Sequence, residues 1–273
     1  MATPEIGSEQ HKQLFCRTFI DTHEPYQVSD LDFPALDAES LARLKSLPIW
    51  DEAVNTERET ALKVQRMCER ETDPLVREAI ALQGFEEARH AALLDRLTAQ
   101  YGIPVQRRTN AVNGTDITWD FIRTEYGECF DAFFAFGLFA FARQSGFFPL
   151  GLVKLFDPIM QEEARHVQFF VNWIAFRRAR LPLDLRLLLD CRRGLAVSLQ
   201  VLSRIRTALD LGGTEQDNFT MNSHDAIGEF SLKTFLDMCL RENERRLGLY
   251  DPALLQPRFA PRIARSALRV LRG

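Results

Sequence analysis

The chain has 273 residues, 46% of them hydrophobic, enough to bury one large core or two small ones. Its net charge of −4 and isoelectric point near 5.8 argue against nucleic acid as a partner. Cys16, Cys68, Cys129, Cys191 and Cys239 form no Cys-x-x-Cys pair, which excludes a zinc ribbon or rubredoxin-like site and reads as a reduced, cytoplasmic protein. No secretory pattern opens the chain, and the longest uncharged run, residues 132–142, is too short to span a bilayer.

In chain order, residues 1–36 show no sustained periodicity and are expected to be irregular, and 37–47 reads as a short helix stopped by Pro48. A helical pattern then runs from Ile49 to about Thr72, with Trp50, Val54, Ala61, Val64 and Cys68 on one face. Asp73-Pro74 restarts the helix as N-cap and first helical residue, and this second segment ends at Gly102. A polar connection over 102–116 precedes a third segment, 118–142, rich in phenylalanine. A fourth runs over 149–179, read as continuous with a kink or bulge at Pro158. Two more helices are expected over 182–211 and 226–247, separated by a polar loop over 212–224. Strand signals are nearly absent, so the chain reads as all-α.

The pentapeptide Glu-Glu-Ala-Arg-His occurs twice, at 86–90 and at 162–166. Each copy sets a glutamate and a histidine three residues apart on one helix face, Glu87 with His90 and Glu163 with His166. A carboxylate and an imidazole so placed can grip one transition-metal ion. Two facing copies can hold a carboxylate-bridged pair of ions. If the fourth segment is continuous, the copies lie at matching heights, 13 residues after Pro74 and 14 after Pro149. The alternative, a start at Asp157, would place Glu163 in the second turn. The connection also suits the arrangement. Fifteen extended residues reach about 50 Å, longer than a helix of roughly 40 Å, so it can run the length of a bundle.

A di-metal bundle also needs one carboxylate from each of the first and third segments. In the first, Glu57 is the acid in register with the apolar stripe, where burial is costly unless a cation neutralises it. In the third, Glu125, Glu128 and Asp131 share one face. Glu128 is favoured for its level against Glu163, Asp131 is the alternative or a hydrogen-bond partner of a ligand, and Glu125, near the helix start, is expected to be exposed.

With these residues the chain resembles the ferritin-like di-iron carboxylate superfamily. The acid-Glu-x-Arg-His pattern is similar to that of ribonucleotide reductase small subunits and bacterial multicomponent monooxygenases. The resemblance covers roughly residues 50–180. It implies a ferritin-like four-helix bundle whose metal ligands are Glu57, Glu87 and His90 in one half and Glu128, Glu163 and His166 in the other. It implies supporting roles behind the ligands for Glu86, Arg89, Glu162 and Arg165. Leu94 stands where the reductases carry their radical tyrosine, which argues against a stored tyrosyl radical.

The expected organisation is an N-terminal segment over 1–48, the bundle over 49–180, covering helices over 181–250 and a basic segment over 251–273. The expected function is an oxidase or oxygenase with two Fe ions or an Mn/Fe pair. It would use O2 on a small, largely apolar organic substrate and draw electrons from a separate donor. A ferroxidase or peroxide scavenger, and a non-catalytic helical binding protein with a decayed site, are the alternatives. The assembly is compatible with a homodimer. His23 and His224 lie outside the motifs and read as surface or loop residues. The phenylalanines at 130, 133, 134, 136, 139 and 141 suit either a substrate channel or plain core. Arg258, Arg262, Arg265, Arg269 and Arg272 recur every three or four residues with no acid among them. Removing those five charges from the net −4 leaves −9 for the remainder. The stripe suits an acidic carrier protein, an anionic membrane surface, or docking on the chain's own acidic surface.

Overall fold

The computed structural model describes residues 3–109, 114–211 and 231–272, and among these every regular element is helical. In chain order they are α1 (Glu9–Asp21), α2 (Ala38–Ser46), α3 (Trp50–Arg70), α4 (Pro74–Tyr101) and α5 (Ile117–Ser145), then α6 (Leu150–Lys154), α7 (Asp157–Arg180), α8 (Leu183–Leu211), α9 (Leu232–Leu247) and α10 (Phe259–Arg272). Helices α3, α4, α5 and α7 form the bundle, with α3 packed along α4 and α5 against α7. No helix is long and apolar enough to cross a membrane among the described residues. The loop expected over 212–224, His224 and the start of the helix expected at 226 lie outside the described residues.

The bundle helices begin and end where local chemistry dictates. Asp73 caps α4 by accepting from the backbone N–H groups of Leu75 and Val76, with Pro74 in the first turn, and Asp116 caps α5 through Trp119 N–H. Gly102 and Gly146 end these helices with φ of 62° and 65°, which glycine adopts without steric cost. The connection between them does run along the bundle. Gln106 N–H donates to Asp51 and Arg108 N–H to Asn55 near the start of α3, whereas Arg66, near its end, donates to Gly114 O.

Two expectations need correction. The N-terminal stretch is not irregular throughout, because Glu9–Asp21 is a helix capped by Ser8 and packed on α7 and α4. Its inward face opens with polar residues whose partners lie on other helices: His11 Nε2 is 3.2 Å from Asn172 Oδ1, and Lys12 Nζ donates to Asp73 at 2.5 Å. Phe15, Cys16 and Phe19 complete that face within the main core, beside Phe169, Phe170 and Trp173. Burying each such aromatic is worth about 1.5–3 kcal/mol. The second correction concerns the fourth bundle helix, which is not continuous. Leu155 and Phe156 form a tightened turn, with N–H groups bonding three residues back, and α7 restarts at Asp157. Pro158 lacks an N–H and its ring would press on the carbonyl of Lys154 in a continuous helix. Glu163 therefore lies in the second turn of α7.

The remaining helices lean on α5. Helices α8, α9 and α10 each contact it, and α9 crosses it closely at Gly137, where a Cβ would come within 2.3 Å of Cys239 Sγ. A cavity of about 470 Å³ opens inside the bundle wall. It is lined chiefly by apolar residues of α2, α3, α5 and the α6–α7 break, with Glu57 and Asp131 among them.

Candidate metal centre

The two pentapeptides face each other across the bundle and interlock. Glu87 and His90 project from α4, and Glu163 and His166 from the first turns of α7. All four are buried, as are Glu86, Arg89, Glu162 and Arg165 behind them. Each histidine is held by the other helix's motif. His90 Nε2–H donates to Glu162 Oε2 at 2.8 Å, and His166 Nε2–H donates to Glu86 Oε2 at 2.9 Å. Arg89 in turn donates to Glu162 and also lies 3.9 Å from Glu86, and Arg165 donates to Glu86. The network is crossed and nearly two-fold symmetric.

That crossing fixes the tautomer. With Nε2 committed as a donor, each imidazole turns Nδ1 toward the centre. His90 Nδ1 lies 3.2 Å from a Glu163 oxygen, 3.5 Å from Glu57 and 3.8 Å from Glu87. His166 Nδ1 lies 3.0 Å from Glu87 Oε1. Glu87 and Glu163 each therefore approach the histidine of the opposite motif. Ligand atoms of Glu57, Glu87, His90 and Glu163 all fall within 4.8 Å of one another.

From α5, Glu128 faces these residues without belonging to that group. Its Oε1 accepts from Thr60 of α3 at 3.3 Å, and burial together with Glu163, Glu87 and Glu57 raises its pKa well above the ordinary range. Asp131 is exposed and lines the cavity, while the histidine Nε2 atoms take Glu86 and Glu162 as partners. Glu125 departs from expectation altogether. It is fully buried, it accepts from Gln83 Nε2 at 2.7 Å, and burial followed by the charge of Glu87 raises its pKa to about 8. Position near the helix start misled here, because α5 begins beneath α7 and α8 rather than at the surface.

The electrostatics call for a cation. Burial raises Glu57 to about 7, although His90 pulls the other way. Burial also opposes charging of His166, yet Glu87 and Glu86 raise it to about 10, and neighbouring acids raise His90 well above its ordinary value in the same sense. Buried atoms are left without a hydrogen bond at the same point: Nδ1 of both histidines, Glu87 Oε1 and Glu163 Oε2. Such atoms are costly unless something satisfies them. Two divalent cations would balance the four carboxylates Glu57, Glu87, Glu128 and Glu163 and displace the Nδ1 protons. The donor set of carboxylates and imidazoles suits iron and manganese, and the residues present fit the group.

Sequence reasoning missed two residues that close this site. His23, read as a surface or loop residue, is half-buried with Nδ1 2.5 Å from Glu86 Oε1. Tyr26 offers its hydroxyl to Glu162 Oε2 at 3.4 Å, its carbonyl accepts from Arg89, and its ring lies 3.7 Å beneath that guanidinium. Burial, with the charge of Glu162, raises the Tyr26 hydroxyl to about 12, so it stays a donor at neutral pH. The one available signal was polar and aromatic residues, His23 and Tyr26, in a stretch otherwise fit for solvent.

The phenylalanines of α5 divide between the two expected roles. Phe134, Phe139 and Phe141 line the cavity, whereas Phe130, Phe133 and Phe136 are buried core. Leu94, 6% exposed, forms part of the cavity wall.

No protein-family model and no curated protein matches the sequence. Among solved structures, the chain is similar to an R2-like ligand-binding oxidase with an aerobically reconstituted Mn/Fe cofactor. The match covers 89% of this chain and 93% of that one, at a TM-score of 0.55 and 16% identity. The chain thus has the helical, ferritin-like fold.

Proposed function

We propose that this protein is a di-metal carboxylate oxidase, holding two iron ions or a manganese–iron pair, that uses O2 to oxidise a small, largely apolar organic molecule. One observation carries the reading. The crossed pentapeptides leave buried, unsatisfied nitrogen and oxygen atoms at a single point, and Glu57, at that point, also lines the apolar cavity. Glu57, Glu87 and His90 would hold one ion and Glu128, Glu163 and His166 the other. When bound in its reduced form, such a pair supplies electrons to O2.

The chain's own residues do the rest. Glu86 and Glu162 hold the imidazoles in the tautomer that frees Nδ1, and Arg165 and Arg89 orient those two acids. Leu94, Phe139 and Phe156 exclude water from the cavity side, and the volume of about 470 Å³ suits a small organic ligand. Glu125, buried beside the ligands and hydrogen-bonded through one oxygen to Gln83, is placed to carry a proton there. Electrons for repeated turnover would come from a separate donor. Five free cysteines accord with a reducing, cytoplasmic setting. The buried cavity tells against a ferroxidase, which has no use for an organic pocket.

The test is metal stoichiometry after anaerobic Fe(II) loading and desalting, for the wild type and for Glu163→Ala. Close to two ions per chain, with clear loss in the variant, is the expected outcome. Sub-stoichiometric binding that ignores the substitution would overturn the reading.

A further inference from the structure

The covering helices leave an unusual outer surface. Of the three relations weighed for the arginine stripe, docking on the chain's own acidic surface accounts for one arginine of α10 among the described residues. The helix seats on α5 and α9 through Ala260, Ala264 and Leu268, in one apolar cluster with Phe130, Phe133 and Cys239. Its arginines point away. Arg265 pairs with Glu244 at 2.8 Å, while Arg258, Arg262 and Arg269 are exposed and form no ion pair among the described residues.

Between the arginine stripe and the seated face runs a second exposed stripe, and it is apolar. Phe259, Ile263 and Val270 are 43%, 42% and 81% exposed. At about 100° per residue these three share one line down the helix, next to the line of Arg258, Arg262 and Arg269. The neighbouring helix extends the apolar surface. Leu187, Leu188, Leu195, Leu199 and Leu202 of α8 are each 42–62% exposed, and the charged residues between them, Asp190, Arg192 and Arg193, are half-buried in ion pairs. Both helices pack on α5, and Val201 of α8 lies against the cluster that also holds Ala260, Ala264 and Leu268 of α10.

We propose that this α8–α10 face seats the protein on an anionic lipid surface. Cations beside bulky apolar side chains on one exposed helix are what a membrane interface accommodates, with phosphates for the arginines and the acyl boundary for Phe259, Ile263 and the leucines. A second copy meeting this face across a two-fold axis would set arginines against arginines. An acidic protein would meet the arginines but leave the leucines in water. The rest of the chain is acidic, so attraction to such a surface is confined to this face and fixes orientation. The inference is independent of whether the metal site is loaded.

The test is co-sedimentation of the full chain with phosphatidylcholine vesicles, with and without phosphatidylglycerol. Binding is expected to the anionic vesicles alone and to be released by about 0.5 M salt. Arg262→Glu with Arg269→Glu, both at exposed positions, should reduce partitioning by about ten-fold or more. Leu195→Gln with Leu199→Gln should also weaken it, and unchanged helicity confirms that each variant is folded. Absence of binding, equal binding to neutral vesicles, or indifference to either pair of substitutions overturns the proposal. A concentration-dependent dimer without vesicle binding does so too, by giving the face to a second copy.

Discussion

Helices α4 and α7 carry the same five residues, yet the chain builds them differently. The α4 copy lies mid-way along an unbroken helix of 28 residues, whereas the α7 copy follows directly on the turn that Pro158 forces. Despite this, the hydrogen bonds match atom for atom, each histidine Nε2 on the opposite motif's first glutamate. What differs is the surroundings. Phe156, Ile159 and Met160, at the break before the second motif, line the cavity, while α3 packs closely along α4 on the other side. On the proposed reading, the symmetry would serve the ions and the asymmetry would make room for a ligand. A helix needs only two turns of correct geometry to present Glu-x-x-His, so the rest of α7 is free to depart.

The most severe way to break the comparison is to remove the crossed acids one at a time. Glu86→Gln and Glu162→Gln each keep the shape but discharge the carboxylate that orients His166 or His90. Each also leaves a buried arginine unpaired. If the halves are equivalent, both variants lose about 10- to 100-fold in metal affinity, read by competition with a chelator under anaerobic conditions. A loss confined to one variant would show that the two positions hold their ions by different means.

The asymmetric part is tested by filling it. Ala135 lies on the cavity wall, one turn from both Asp131 and Phe139. Ala135→Trp should abolish uptake of an apolar fluorophore such as diphenylhexatriene while metal stoichiometry stays within about a tenth of wild type. Loss of both together would mean that cavity and metal core are one mechanical unit.

How much of this was legible in the sequence follows the same division. The repeated pentapeptides, the Asp73-Pro74 restart and the acid in the α3 stripe are local signals, and the structure starts α4 at that restart and brings Glu57 beside Glu87, His90 and Glu163. Glu57 stood out because a carboxylate in an apolar row needs a reason. The failures share another cause. His11 and Lys12 hid the start of α1, because their partners Asn172 and Asp73 are 161 and 61 residues away. Glu125 was misread in the same way, since Gln83 comes to it from α4, and His23, in a loop as expected, gave no sign of its contact with Glu86 for the same reason. A polar residue whose partner is supplied by tertiary structure looks solvated when read alone. The break before α7 was different, because Pro158 was visible and the extra turn it tolerates was the matter of judgement.

The mildest test reaches the foundation of the α4 half. Asp73 both caps α4 and pairs with Lys12 of α1, so it ties the N-terminal helix to the bundle. Asp73→Ala should cost about 1–2 kcal/mol, seen as a lower midpoint in urea, and should leave the α5–α7 half unaffected. Its pH dependence has a definite sign. Burial acts to raise the Asp73 pKa, but Lys12 and the capping N–H groups outweigh it and lower the folded value. The stabilisation is therefore complete above the unfolded pKa of about 4 and is lost as pH falls through the lower folded value. Lys12 is shifted upward by the same pair, so its share is complete below about pH 10 and is lost only in stronger alkali. Wild type and variant should accordingly differ at pH 7 and converge as pH falls through that lower value. If the difference persists in acid, the charge of Asp73 is not what stabilises this end of α4, because both the cap and the ion pair strengthen with that charge.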